Sequence, residues 1–101
     1  MTYRNKKILR HARGQDCQMQ IPGHCNGNHE TVVAAHSGLL EDNKGCGHKA
    51  DDFCIAYMCS SCHDVYDRRT YTNISKNDLL AMFHTAMKRT LRILFNDGVI
   101  K

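Results

Sequence analysis

The 101-residue chain has no tryptophan, a single proline and only 7% aromatic residues, so whatever core it forms is modest. A domain of this size buries roughly 60–70% of the surface its unfolded chain exposes. A bound metal would help it hold one fold. There is no apolar run long enough to cross a membrane. The opening residues, Met1-Thr2-Tyr3-Arg4-Asn5-Lys6-Lys7, lead into no hydrophobic stretch of signal-peptide length. The expectation is therefore a cytoplasmic protein with no membrane partner, in a compartment that keeps thiols reduced. Low-complexity segments and internal repeats of fold size are also lacking, and residues 1–101 read as one domain.

Against that spare background, six cysteines stand out. A disulfide framework is one explanation, but without an export route metal ligation is favoured over it. The formal net charge of +4 suits a polyanionic partner without requiring one. The cations gather in Lys6–Arg13, in Arg68-Arg69 and in Lys88-Arg89-Thr90-Leu91-Arg92. Each cluster alone is most simply a solvated face. Three of them around a cysteine motif point towards nucleic acid.

Residues 1–14 form a basic arm or short helix ending at Gly14. The segment 15–28 carries Pro22-Gly23 and Asn26-Gly27 as turn signals. Its Cys17 and Cys25 suggest a knuckle-shaped loop that turns both thiols inward. A β-branched run, Thr31 to His36, reads as a strand, and the polar, glycine-rich stretch from Ser37 to Asp52 as a loop. Phe53 to Met58 is continuously apolar and reads as the returning strand of a hairpin. A helix then opens at Cys59 and runs to about Arg69. Ser75-Lys76-Asn77-Asp78 has capping-box spacing, with Asp in place of the usual Glu. Leu79, Leu80, Phe83, Met87, Leu91 and Leu94 follow at helical spacing, with Gly98 as a stop, giving a packing helix over 75–97.

The chain is organised around Cys59-Ser60-Ser61-Cys62-His63. Two thiols three positions apart at a helix start face the same way and can bind one ion. With Cys17 and Cys25 they make a four-thiolate zinc site, which would be structural only. The Cys17/Cys25 half is the weaker signal, because two buried free cysteines would give the same pattern. Cys54 lies inside an apolar strand and reads as a small core side chain, while Cys46 with His48 offers a second metal site on a loop. His63 lies four residues from Cys59 and roughly 100° around the helix from Cys62. It either completes the zinc site or points elsewhere and does chemistry.

Of seven histidines, His11, His24, His29 and His84 show no functional partner in the sequence. His36 ends one strand and His63 opens the helix reached from the other, so a hairpin packed on that helix would bring the two rings together. Asp51 and Asp52 precede the second strand and would lie near the same point. Such a set can hold a hard divalent ion, with open positions for water and phosphate. The alternative leaves His36 a satisfied strand-end residue, His63 a spare zinc ligand and the aspartates a solvated turn. The residues alone leave the two balanced.

A two-cysteine knuckle, a strand ending in His, a loop, a second strand and Cys-x-x-Cys-His opening a helix resemble the HNH endonucleases over about residues 17–69. More closely, Arg13-Gly14-Gln15-Asp16-Cys17, Ile21-Pro22-Gly23-His24-Cys25-Asn26-Gly27, Ala35-His36-Ser37 and Cys59-Ser60-Ser61-Cys62-His63-Asp64 resemble the small prophage-encoded YbcO nuclease family. The resemblance implies an α+β fold: a zinc-stapled ββα-metal core with an added C-terminal helix. It also implies cleavage of DNA phosphodiester bonds with one divalent ion, Mg, Mn or Zn. His36 stands at the first-histidine position, that of the general base. His63 stands at the last, near the catalytic ion, and Asp51 or Asp52 takes the approximate place of the middle Asn. Ala35 occupies a position where the family commonly places a metal ligand, which leaves the ion one ligand short.

On this basis the expected mechanism has His36 removing a proton from water. An ion held by His63 and Asp52 stabilises phosphoryl charge, and Asp67 orients His63. Arg68, Arg69, Lys88, Arg89 and Arg92 grip the DNA backbone. A non-catalytic zinc-binding DNA module is the alternative. An interaction adaptor that uses zinc only to fold is a third reading.

Overall fold

The computed structural model describes residues 3–38 and 49–100. Cys46 and His48 lie outside them, as does most of the expected 37–52 loop. The architecture is a small α+β arrangement. A short helix α1 (Lys6–His11) leads through the cysteine loop and a 3-10 turn (His29–Thr31) to β1 (Val33–His36). Strand β2 (Ile55–Met58), helix α2 (Ser60–Tyr66) and helix α3 (Lys76–Asn96) complete it. β1 and β2 pair antiparallel, with Val33 opposite Met58 and His36 opposite Ile55. Among the described residues no helix is long and apolar enough to cross a membrane.

Both strands are shorter than their apolar runs. Thr31 is drawn into the 3-10 turn, where its hydroxyl donates to the Asn28 carbonyl at 2.9 Å. Asp52 and Phe53 form a turn because the N-terminal segment captures them: the Asp52 N–H donates to the Tyr3 carbonyl at 3.0 Å. β2 is buried along its whole length. Its outer edge is covered, since the Tyr57 N–H donates to Thr90 Oγ1 at 3.0 Å and the Tyr57 carbonyl accepts from the Gln18 N–H at 2.7 Å. Those bonds occupy the backbone groups that Tyr57 would otherwise leave unpaired on that edge. They also explain why a threonine sits among Leu79, Phe83, Ala86 and Leu94 on the buried face of α3.

α3 starts where the capping spacing places it, with Ser75 Oγ accepting from the Asp78 N–H at 3.1 Å. It ends in a left-handed Gly98, φ 74°, and the Val99 N–H closes back to Leu94 O at 2.9 Å. α2 ends by the same device, with the Arg69 N–H donating to Asp64 O at 2.7 Å and the Arg68 N–H to Val65 O at 3.1 Å. Here the left-handed position is occupied by Arg68, φ 63°, instead of glycine. The helix therefore stops at Tyr66, short of the Arg69 expected from sequence. Tyr66 stacks on Phe83 with ring centroids 4.6 Å apart, which docks α2 against α3.

Candidate functional site

Cys59 is the N-cap of α2, and its sulfur accepts from the Cys62 N–H at 3.4 Å, where a serine or threonine oxygen would ordinarily sit. The cap brings both thiols of the Cys-x-x-Cys to one side of the helix start. The loop brings the other pair. Gln20 adopts φ 49°, and its N–H donates to Cys17 Sγ at 3.4 Å. The Asn26 N–H donates to Cys59 Sγ at 3.5 Å.

The sulfurs of Cys17, Cys25, Cys59 and Cys62 lie within 4.8 Å of one another. Cys17 and Cys62 are 3.7 Å apart, and Cys59 and Cys25 3.9 Å. Four sulfurs at a tetrahedral Zn–S distance of about 2.3 Å would be separated by about 3.8 Å. A disulfide requires about 2.05 Å, and these cysteines are free thiols. The donor set fits a metal such as zinc.

The charges point the same way. A hydrogen bond from Cys62 holds the Cys17 thiol down to about 4, against the opposing effect of burial. The same bond, together with burial, pushes Cys62 up. Burial also raises Cys25. Crowded sulfurs cannot all ionise without a cation among them, and a divalent ion relieves that conflict. His63 is not part of the cluster. Its Nε2 lies 2.9 Å from Asp67 Oδ2, one turn along α2.

The second constellation surrounds Asp52. This carboxylate is buried, its side chain 3% exposed, and it accepts three hydrogen bonds. His36 Nε2 lies 2.9 Å from Oδ1, Arg4 Nη1 3.0 Å from Oδ1, and the Asn5 N–H 2.6 Å from Oδ2. Burial alone would raise the Asp52 carboxyl; the bonds from His36, Asn5 and Arg4 outweigh it and hold the group below its ordinary value. An ionised carboxylate only accepts, so His36 Nε2 carries the proton of that bond. Arg4 also donates to the backbone carbonyls of Lys49, at 2.8 Å, and Ala50. Asp51 Oδ1 accepts from the Tyr3 N–H at 2.8 Å. The N-terminal arm is thus a clamp that fixes the Asp51-Asp52 turn beneath His36.

The expected grouping of Asp52 with His63 is replaced by two separate pairs, His36–Asp52 and His63–Asp67. The reason is that both Asp52 oxygens are taken by the arm and by His36. Among the described residues the four cysteines are the only cluster of three or more potential metal ligands. Asp67 also meets Arg69 Nη1 at 3.2 Å, and Arg69 Nε meets Asp64 at 3.0 Å. Arg89 donates to the Gln18 carbonyl at 3.2 Å. Lys88, Arg89 and Arg92 lie on α3, and Arg68 follows α2. None of these cations lines the groove that contains His36; that groove is bordered by Arg10, Arg13 and Lys49. Sequence reasoning missed Arg4 altogether. Its only signal was membership of a basic N-terminal stretch, because its partner lies 48 residues away.

The profile of the family described as "Putative nuclease YbcO" matches residues 6–99. A protein of Escherichia coli (strain K12) named "Putative nuclease YbcO" is 44% identical over 96 residues, spanning 89% of this chain and 92% of the relative. A protein of Enterobacteria phage 82 named "Putative nuclease ybcO" matches to the same extent. A solved structure titled as a putative bacteriophage protein from Escherichia coli str. K-12 substr. MG1655 superposes with a TM-score of 0.71 at 39% identity. It covers 89% of this chain and 98% of the solved one. The chain belongs to the YbcO family.

Proposed function

We propose that this protein is a phage-derived, metal-dependent endonuclease that hydrolyses DNA phosphodiester bonds in the reducing cytoplasm, built on an HNH-like ββα unit over residues 17–69. The observation that carries the reading is the His36–Asp52 pair. An imidazole only 14% exposed has its Nε2–H committed to a buried carboxylate 2.9 Å away. The ring is thereby fixed in one tautomer, with Nδ1 directed to proton transfer. Support comes from the strand–strand–helix order, the basic groove beside His36, and relatives named as nucleases.

In this reading Cys17, Cys25, Cys59 and Cys62 hold a structural zinc that ties the cysteine loop to α2. Neutral His36 takes a proton from the attacking water through Nδ1. Asp52 orients the ring and stabilises the imidazolium that forms, and Arg4 holds Asp52. A divalent ion, Mg, Mn or Zn, supplies positive charge to the phosphoryl and leaving oxygens when bound. His63 would offer it a ring nitrogen, and Asp67, whose Oδ2 lies 2.9 Å from His63 Nε2, orients that ring. Asp52, with both oxygens engaged, serves His36 instead. Arg68, Arg69, Lys88, Arg89 and Arg92 provide outlying contacts that position the duplex without reading its sequence.

One observation favours the alternative of a non-catalytic zinc-binding DNA module: Ala35, 2% exposed, offers no ligating atom beside His36. Supercoiled plasmid incubated with zinc-loaded protein and Mg²⁺ or Mn²⁺ separates the two readings. The wild type is expected to nick it, and His36→Ala to lose nicking while retaining its circular dichroism and zinc content. Equal trace cleavage by both proteins would remove His36 as the base and leave the binding module.

A further inference from the structure

The groove between α1 and β1 has a volume of about 730 Å³ and is lined by Leu9, Arg10, Arg13, Glu30, His36 and Lys49, among others. Its border thus brings three permanent cations and one carboxylate to the imidazole that forms the pair with Asp52. Three other arginines already have partners within the chain. Arg4 is bonded to Asp52, Arg69 to Asp64 and Asp67, and Arg89 to the Gln18 carbonyl. Arg10 and Arg13 are exposed, and no described residue forms an ion pair or hydrogen bond with either side chain. They lie three positions apart, Arg10 in the last turn of α1 and Arg13 just beyond its cap. That spacing puts two guanidinium groups on adjoining parts of one surface. Planar guanidinium forks with no partner among the described residues match phosphate oxygens in pairs.

We infer that this groove is the track of the DNA phosphodiester backbone, with Arg10 and Arg13 gripping consecutive phosphates and Lys49 at its border, so that the phosphate to be cut is delivered to His36. The inference rests on the nuclease reading for the part played by His36. It adds the surface the substrate follows, which differs from the α3 face of Lys88, Arg89 and Arg92. It also gives the N-terminal segment two functions, since Tyr3, Arg4 and Asn5 clamp the Asp51-Asp52 turn while the far end of α1 binds the strand.

Fluorescence anisotropy of a labelled duplex oligonucleotide, measured across a salt series without added divalent ions, tests this separately from cleavage. Each lost phosphate contact lowers the slope of log affinity against log salt by about 0.9. Arg10→Ala/Arg13→Ala is expected to lower the slope by about 2 and to weaken binding on the order of ten-fold or more at low salt. Lys88→Ala/Arg92→Ala should lose less. Both side-chain pairs are exposed, and unchanged circular dichroism checks that the fold persists. A groove variant with wild-type affinity and slope, or a larger loss in the α3 variant, overturns the proposed track even if the wild type nicks plasmid. Groove-dependent binding by a protein that never nicks would instead sustain the track and remove the nuclease reading.

Discussion

Arg4 lies at the edge of the molecule, yet replacing it with methionine should destabilise the protein by more than a surface substitution does. Its guanidinium bonds Asp52 Oδ1 at 3.0 Å and the Lys49 carbonyl at 2.8 Å, and it also reaches the Ala50 carbonyl. Arg4→Met keeps the aliphatic stem and removes all three bonds, leaving a carboxylate only 3% exposed with His36 and the Asn5 N–H. Breaking a fully buried ion pair costs about 3–5 kcal/mol. Because the Arg4 side chain is 43% exposed, solvent screens much of this, and about 2 kcal/mol is the appropriate figure. For a chain of this length that corresponds to a Tm lower by roughly 10 °C.

The pH dependence gives a second check. Asp52 has its folded-state value lowered, so the stability it contributes is present above the unfolded value near 3.9 and is lost as pH falls through the folded one. The gap between wild type and Arg4→Met should be widest at neutral pH and close in acid. Thermal melts of zinc-loaded proteins by circular dichroism measure both effects. A variant melting within about 2 °C of wild type at neutral pH would refute the reasoning, as would a gap that widens in acid.

Four further outcomes follow from the same structure. Arg68→Gly relieves a left-handed residue at the end of α2 and should stabilise the protein by about 1 kcal/mol in a urea titration. Cys62→Ser should abolish zinc binding, measured as metal content after dialysis. Acidification of the wild type should release zinc, since the ligands bind as thiolates and protons compete for them. Tyr57→Phe leaves the Ile8 carbonyl without its 2.7 Å bond in the core, costing about 1–2 kcal/mol by the same titration.

The features legible from sequence were those encoded locally. The Cys-x-x-Cys works because Cys59 both caps α2 and faces Cys62, a relation confined to three residues. α3 declares itself through Ser75, its apolar spacing and Gly98. The strands were placed by their β-branched and apolar runs. What escaped depended on contacts distant in the chain. Arg4 meets Asp52 across 48 residues, and nothing in either neighbourhood marks the pairing. Thr90 interrupts the apolar face of α3 because it satisfies a β2 amide 33 residues away. The end of α2 was misplaced because the signal for a left-handed cap is normally glycine, and here the residue is Arg68. Asp52 was expected where His36 and His63 meet because it precedes β2; the clamp from Tyr3, Arg4 and Asn5 holds it to His36.

Chemical rescue tests the central claim, that His36 oriented by Asp52 is the proton acceptor in phosphodiester hydrolysis. The rate of plasmid nicking by His36→Gly is measured in Mg²⁺ with increasing free imidazole. The variant is expected to be nearly inactive, with nicking that rises with imidazole towards saturation and, unlike the wild type, follows the fraction of imidazole that is neutral. A His36→Gly protein that binds DNA normally but nicks at the wild-type rate without imidazole would contradict the claim.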